Sequence, residues 1–126
     1  MAEIFFISPE HKQHWLQSLR AISKMYGGRL DQEYGSALYI LTADLTTWQQ
    51  VSGYVASSGI DIEAMLEKID FSGGYSVLIK LAGNLFNSLT HCDAVELMRL
   101  DDSNFLVALA ALQVRRYSLH VDDLKA

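Results

Sequence analysis

Apolar residues along this chain recur at spacings of three and four, the period of an α-helix. The first stripe follows Ser8, whose hydroxyl is suited to cap a helix that has Pro9 at its first position and an acidic first turn. Trp15 and Leu19 lie on this stripe. The pattern predicts a helix that begins at Pro9 and ends at Gly27-Gly28, where positive backbone φ angles are accessible.

Three further helices are predicted between residues 31 and 69. Asp31 caps the first. Thr46-x-x-Gln49 matches a capping box for the second, which is expected to continue through Val55. Asp61 caps the third, and its side chain is followed by apolar residues at helical spacing.

The two most apolar segments lie in the second half of the chain, at about 74–88 and 102–117. Ser72 precedes the first, and Asp101 or Asp102 caps the second, in which residues 105–112 are all apolar. Asp93-x-x-Glu96 opens a short helix between them. The pattern therefore predicts an all-α fold, an irregular bundle of about seven short helices around two central apolar helices.

The remaining apolar run, Ile4 to Ile7, consists of β-forming residues without an obvious strand to pair with. We therefore expect residues 1–7 to form an extended N-terminal arm. The length of the chain suits one hydrophobic core, and no repeat or linker is evident, so residues 1–126 are predicted to form a single helical domain.

Charge and cysteine content narrow the function classes. The chain carries 10 basic and 15 acidic residues, a net charge of −5, which opposes nucleic-acid binding. Cys92 is the only cysteine, which fits a reducing compartment, and no apolar run approaches the length of a membrane span. We expect a cytoplasmic protein that binds neither nucleic acid nor membranes.

One candidate ligand site starts at Ser72, Gly73 and Gly74, where free N–H groups at a helix start suit an anion. The spacing is not that of a phosphate-binding P-loop, and the alternative is a hydroxyl cap with glycines that let helices approach. Asn84, Asn87 and His91 are candidates for a small polar pocket. The alternative for these amides is that they fasten a loop.

A second candidate is a metal site. Glu10, His11 and His14 lie within one turn of the first helix, and zinc favours such convergent ligands. The alternative is that both histidines are solvated on the polar side of the helix, since the HExxH spacing of a zinc peptidase is absent. We assign no cofactor and no catalytic residue.

Arg115 and Arg116 are the candidate partner-binding residues. In the last turn of a helix they complement the negative end of its dipole, which explains them without a function. The functional alternative is recognition of an acidic partner, because guanidinium groups bind carboxylates in a fixed geometry.

Several stretches resemble a family of bacterial and phage-associated proteins of about this length that is labelled only as a domain of unknown function. These stretches run nearly from end to end and comprise Phe6-x-Ser8-x-Glu10-His11 with Trp15, Tyr34 with residues 37–41, residues 70–74, residues 81–87, Leu100-Asp101-x-x-Asn104-Phe105, and Arg115-Arg116. The resemblance implies a helical fold and no established activity, so it supplies no site residues.

The sequence contains caps and core residues in abundance and few convergent reactive groups. We therefore expect a small cytoplasmic helical protein-interaction module with an accessory or regulatory role, and we expect its partner to be another protein or, as a homodimer, a second copy. An enzyme is the lesser expectation. The alternative is a small-ligand or anion-binding protein or enzyme with a pocket near Ser72, Asn84, Asn87 and His91. An exposed apolar patch would favour the first interpretation, and a concave site with perturbed titrating groups the second.

Overall fold

The computed structural model of the chain describes residues 3–124, which form seven α-helices and two short β-hairpins. Residues 1 and 2 of the expected arm, and residues 125 and 126 of the expected domain, lie outside this range. The all-α fold class is confirmed. The elements are α1 (Pro9–Ala21), β1 (Met25–Tyr26), β2 (Arg29–Leu30), α2 (Gln32–Leu41), α3 (Leu45–Val51), β3 (Val55–Ala56), β4 (Gly59–Ile60), α4 (Ile62–Lys68), α5 (Gly73–Asn87), α6 (Ala94–Leu97) and α7 (Asp102–Arg116).

Side-chain caps fix where most helices begin. Ser8, Asp31, Asp61 and Asp101 each accept a hydrogen bond from the backbone N–H three residues ahead, as the sequence predicts. The predicted capping box at Thr46 is wrong. Asp44 caps α3 instead, because its carboxylate accepts hydrogen bonds from both the N–H and the hydroxyl of Thr47.

The predicted end of the first helix is also wrong, because a hairpin occupies that segment. Helix α1 stops at Ala21, and Ser23 adopts a left-handed backbone with φ of 58°. Gly27 and Gly28, with φ of 60° and 85°, form the two-residue turn between β1 and β2. Two successive positive φ angles match the twist of a tight antiparallel hairpin, which glycine adopts without strain.

The third helix does not continue as an α-helix through Val55, because a short 3₁₀ helix, Ser52–Tyr54, follows α3 and leads into a second hairpin, β3–β4. In both hairpins the aspartate that caps the next helix donates its N–H to a carbonyl seven residues earlier, Asp31 to Lys24 and Asp61 to Tyr54, both at 3.0 Å. Each hairpin is thus joined to the following helix by the same kind of hydrogen bond. Strands of two residues are too short for periodicity to reveal.

Helix α2 is the centre of the bundle. Every residue from Tyr34 to Leu41 is buried, and α1, α5 and α7 pack around it. Helices α5 and α7 contact each other as expected, but each packs more extensively against α2. Gly35 helps to explain this, since a side chain there would begin 3.4 Å from a methyl group of Val114 on α7.

The segments at both ends of the described range pack onto this bundle. Residues 3–6 adopt neither helix nor strand, and the Phe6 ring packs against those of Trp15 and Tyr39, with centroids 5.7 and 5.8 Å away. At the other end, the Leu119 carbonyl accepts a hydrogen bond from the Leu30 N–H, which extends the first hairpin. Within residues 3–124, no helix has the length and apolar character needed to cross a membrane.

Candidate interaction surface

Helix α7 exposes large apolar side chains on the face that points away from the bundle. Leu106, Leu109 and Leu112 are 42%, 41% and 41% exposed. Side chains three apart are neighbours on a helix, so these leucines form one continuous stripe. The buried face of the same helix carries only small residues, which are Val107, Ala108, Ala110, Ala111 and Val114.

The leucine stripe has a charged residue of opposite sign at each end. Asp102 is exposed in the first turn and Arg116 in the last. Positions 102, 109 and 116 are seven apart, about two helical turns, so all three lie on the same side of α7. The Arg116 guanidinium lies 5.6 Å from the ring centroid of Tyr117, and within residues 3–124 it forms no ion pair.

The structure separates the predicted partner-binding pair. Arg115 is half-buried, and its Nε donates a hydrogen bond of 2.9 Å to the Leu85 carbonyl. The backbone carbonyl of Arg115 also accepts a hydrogen bond from the side chain of Gln32. Arg115 therefore fastens α7 to α5 and α2, whereas the Arg116 side chain is exposed.

The candidate ligand residues do not come together in one pocket. Ser72 is the N-cap residue of α5, although its hydroxyl makes no capping hydrogen bond, and Gly73 and Gly74 form the first turn. Asn84 lies twelve residues farther along, about 18 Å at helical rise. The two groups of residues therefore belong to opposite ends of the helix.

Asn84 and Asn87 fasten the loop that follows α5. The Asn84 amide donates a hydrogen bond of 2.9 Å to the Thr90 carbonyl, and the Asn87 side chain accepts one of 3.1 Å from the Leu89 N–H. His91 is exposed in the same loop. These contacts correspond to the loop-fastening alternative.

An open groove of about 480 Å³ does lie beside Gly73 and Gly74. Three acidic residues, Asp93, Glu96 and Asp101, and one basic residue, Arg99, also line it. The excess of carboxylates opposes the positive potential of the α5 N-terminus, so the net charge around this groove disfavours a phosphate or a carboxylate ligand.

His11 is a core residue instead of a solvated one. It is 1% exposed, its Nε2 donates a hydrogen bond of 2.7 Å to the Tyr39 carbonyl, and its Nδ1 accepts one from the Ile7 N–H. Burial, against the opposing hydrogen bond to Tyr39 and together with the neighbouring His14, lowers the pKa of His11 to about 4. The ring is therefore neutral and holds the N-terminal arm to α2.

The three predicted metal ligands do not converge. Both ring nitrogens of His11 are used in hydrogen bonds, and Glu10 is exposed. In the part of the chain that the structure describes, no three His, Cys, Asp or Glu side chains are arranged to hold a metal ion. A sequence signal for the buried state of His11 does exist, because it precedes Trp15 and Leu19 at spacings of four on the core stripe.

The remaining perturbed groups are shifted mainly by burial and do not converge on the groove. Burial raises the pKa of Tyr75 to about 12 and raises that of Tyr39 further. The pKa of the Cys92 thiol is also raised, by burial first and then by Glu96 and Asp93, which disfavours the reactive thiolate. These shifts accompany packing and do not indicate acid–base chemistry.

Comparison with protein-family models, curated proteins and solved structures found no match to this chain. The resemblance to the bacterial and phage-associated family therefore stays a prediction from the sequence.

Proposed function

We propose that this protein is a small cytoplasmic helical module that binds another protein through the outer face of α7. The observation that supports the proposal is the distribution of apolar side chains on that helix. The small residues alanine and valine are buried, and the larger Leu106, Leu109 and Leu112 are exposed. Contiguous exposed apolar side chains of this kind are typical of protein–protein contact surfaces.

The outer face of α1 serves as an internal reference. Its exposed residues include Gln13, Gln17 and Arg20, as expected for a helix face that meets only water. The α7 face occupies a comparable position at the edge of the bundle and carries leucines instead. Exposure of leucine side chains to water is unfavourable, whereas their burial against a partner is favourable.

The charges at the ends of the stripe indicate the chemistry of the partner. Asp102 and Arg116 are separated by an uncharged stretch, since residues 103–114 contain no Asp, Glu, Lys or Arg. A partner helix with an apolar centre, a basic group near Asp102 and an acidic group near Arg116 complements this face. A nucleic acid does not, because one end is acidic.

The accessory or regulatory role, and the bacterial or phage context that the family resemblance implies, belong to this proposal as well. The small-ligand alternative is less well supported. Its residues lie at two ends of α5, and three carboxylates outnumber the one guanidinium that lines the groove beside Gly73.

A site-specific photocrosslinker tests the proposal. A benzoylphenylalanine at position 109, introduced in the full chain in native cells, should form adducts with one defined protein, and mass spectrometry of the adduct identifies the crosslinked peptide. The matched control carries the same group in place of Gln17, which is exposed on α1. Adducts at position 109 that equal the control in identity and yield would contradict the proposal.

A further inference from the structure

We infer that the partner that covers the α7 face is a second copy of this chain, packed antiparallel across a twofold axis at Leu109. The inference rests on the proposed function, because it names the partner of the same surface. In this arrangement Leu109 meets Leu109 of the other copy, and Leu106 meets Leu112. The stripe is therefore complementary to itself, as a twofold interface requires.

The charges at the two ends of the stripe also fit an antiparallel pair. Asp102 and Arg116 lie seven positions to either side of Leu109, so the same axis that pairs the leucines places each Asp102 beside the Arg116 of the other copy. Two opposite-charge pairs thus form at the ends of the contact. A parallel arrangement would set Asp102 against Asp102 and Arg116 against Arg116, which disfavours it.

The stretch of α7 between Asp102 and Arg116 presents no charged side chain that would oppose this contact. The residues of α7 from 103 to 114 carry no charged side chain, and Arg115 is turned away to the Leu85 carbonyl. The exposed Arg116 guanidinium lies over the neighbouring Tyr117 ring, and Asp102 does not cap α7 because Asp101 does. Both end groups are thus available to a second copy.

The size of the face sets the expected strength. A 15-residue helix is about 22 Å long, so one face of α7 supplies less than the ~800 Å² per partner of a standard stable interface. We expect a dimer in reversible exchange with the monomer, with a dissociation constant between about 10 µM and about 1 mM.

Sedimentation equilibrium of the purified full chain over that concentration range is the first measurement. The wild-type chain should pass from monomer to dimer. Leu109→Lys should weaken the dimer by about tenfold or more, because it places two ammonium groups at the twofold axis. Gln17→Lys on the outer face of α1 is the matched control and should leave the dimer unchanged. Circular dichroism of both variants verifies that the fold is retained.

Charge exchange provides the sharper test of orientation. D102R and R116D should each weaken self-association by about tenfold, because each change creates two like-charge pairs per dimer. An equimolar mixture of the two variants should associate to within about threefold of wild type, since one chain then presents two cations and the other two anions. A parallel dimer gives a different result, because its wild type already contains two like-charge pairs: neither single change should then weaken self-association, and the mixture should associate more tightly than wild type.

The outcomes separate the two proposals. A chain that stays monomeric up to about 1 mM, or a dimer that L109K leaves intact, overturns the second-copy inference. If the crosslinker at position 109 then captures a different protein, the interaction-module function still stands. If it captures nothing above the Gln17 control, both proposals fail. Loss of dimer in L109K without recovery in the D102R and R116D mixture overturns the antiparallel arrangement.

Discussion

Helices α1 and α7 flank the same central helix, but α1 buries large side chains and α7 buries small ones. Helix α1 packs Trp15 and Leu19 into the core, both fully buried, and exposes Gln13 and Gln17. Helix α7 buries alanine and valine and exposes three leucines of its own. Hydrophobicity decides which face of α1 is buried, whereas on α7 both faces are apolar and size decides.

Close approach explains the sorting by size. Gly35 on α2 faces Val114 on α7, and a Cβ atom added there would lie 3.4 Å from the valine methyl group. Small residues on both sides of a crossing let two helix axes come close, and ridges of leucine would hold them apart. The leucines of α7 are thus excluded from the crossing, which leaves them available for another surface.

Removal of the largest side chain on the buried face of α1 should produce the largest effect. Trp15→Ala leaves a cavity and removes the hydrogen bond of 2.8 Å from the indole N–H to the Gly35 carbonyl. We expect the free energy of unfolding to fall by about 3–5 kcal/mol, measured by urea denaturation. The matched change on the outer face of α7, Leu109→Ala, should cost less than about 1 kcal/mol. Equal losses of unfolding free energy in the two variants would contradict the difference in burial between α1 and α7.

Acidic pH should lower the free energy of unfolding through His11, which lies on α1. Its folded pKa of about 4 lies below the unfolded value near 6.5, so the unfolded chain takes up a proton first as the pH falls. Stability contributed by the neutral ring is present above pH ~6.5 and is lost towards pH 4, by about 3 kcal/mol.

The measurement for His11 is a series of urea titrations between those pH values. His11→Gln keeps a donor and an acceptor but does not titrate, so it should lower stability at neutral pH and flatten the pH dependence. An unchanged slope in His11→Gln would show that other groups cause the acid sensitivity.

A leucine on the inner face of α7 tests whether size decides its orientation. Ala111 is fully buried, and Ala111→Leu adds three carbon atoms at a close crossing. We expect a loss of about 1–3 kcal/mol of unfolding free energy from overpacking, measured by thermal or urea denaturation. A gain in stability would mean that the crossing has room, and that the leucines are outside for a different reason.

The smallest expected effect on stability comes from making α7 resemble α1. Glutamine at positions 106, 109 and 112 together should change the free energy of unfolding by about 0.5 kcal/mol or less per site. Retention on a hydrophobic-interaction column should fall clearly, because the exposed apolar stripe is removed. The converse change, leucine in place of Gln13 and Gln17, should raise retention. No difference in retention between these chains would contradict the exposed stripe.

Local signals in the sequence account for much of the fold. The caps at Ser8, Asp31 and Asp61 depend on a side chain and the three residues after it, so they were predictable. The hairpins were not, because two-residue strands carry no periodic pattern. Gly27-Gly28 is compatible with a helix end as well as with a tight turn.

The candidate surface could be predicted only in part. Residues 105–112 are all apolar, so periodicity cannot show which side of α7 faces the solvent, and only the crossing with α2 resolves it. Arg115 and Arg116 are adjacent residues of the same type, so the sequence does not distinguish them. The hydrogen bond from Arg115 to α5 does. The expectation that His11 lies on the polar side of α1 was wrong. It followed from the polar character of histidine, although the position of His11 is on the core stripe.

The contact between the first hairpin and the last segment has a consequence for the order of folding. The Arg29 guanidinium donates to the Ser118 carbonyl at 2.8 Å, across a separation of 89 positions in the chain. Helices and hairpins close short loops quickly, whereas such a distant contact requires the intervening bundle to bring its two ends together. During synthesis the first hairpin emerges long before Ser118 does. Its edge therefore stays unpaired until one of the last contacts of folding covers it.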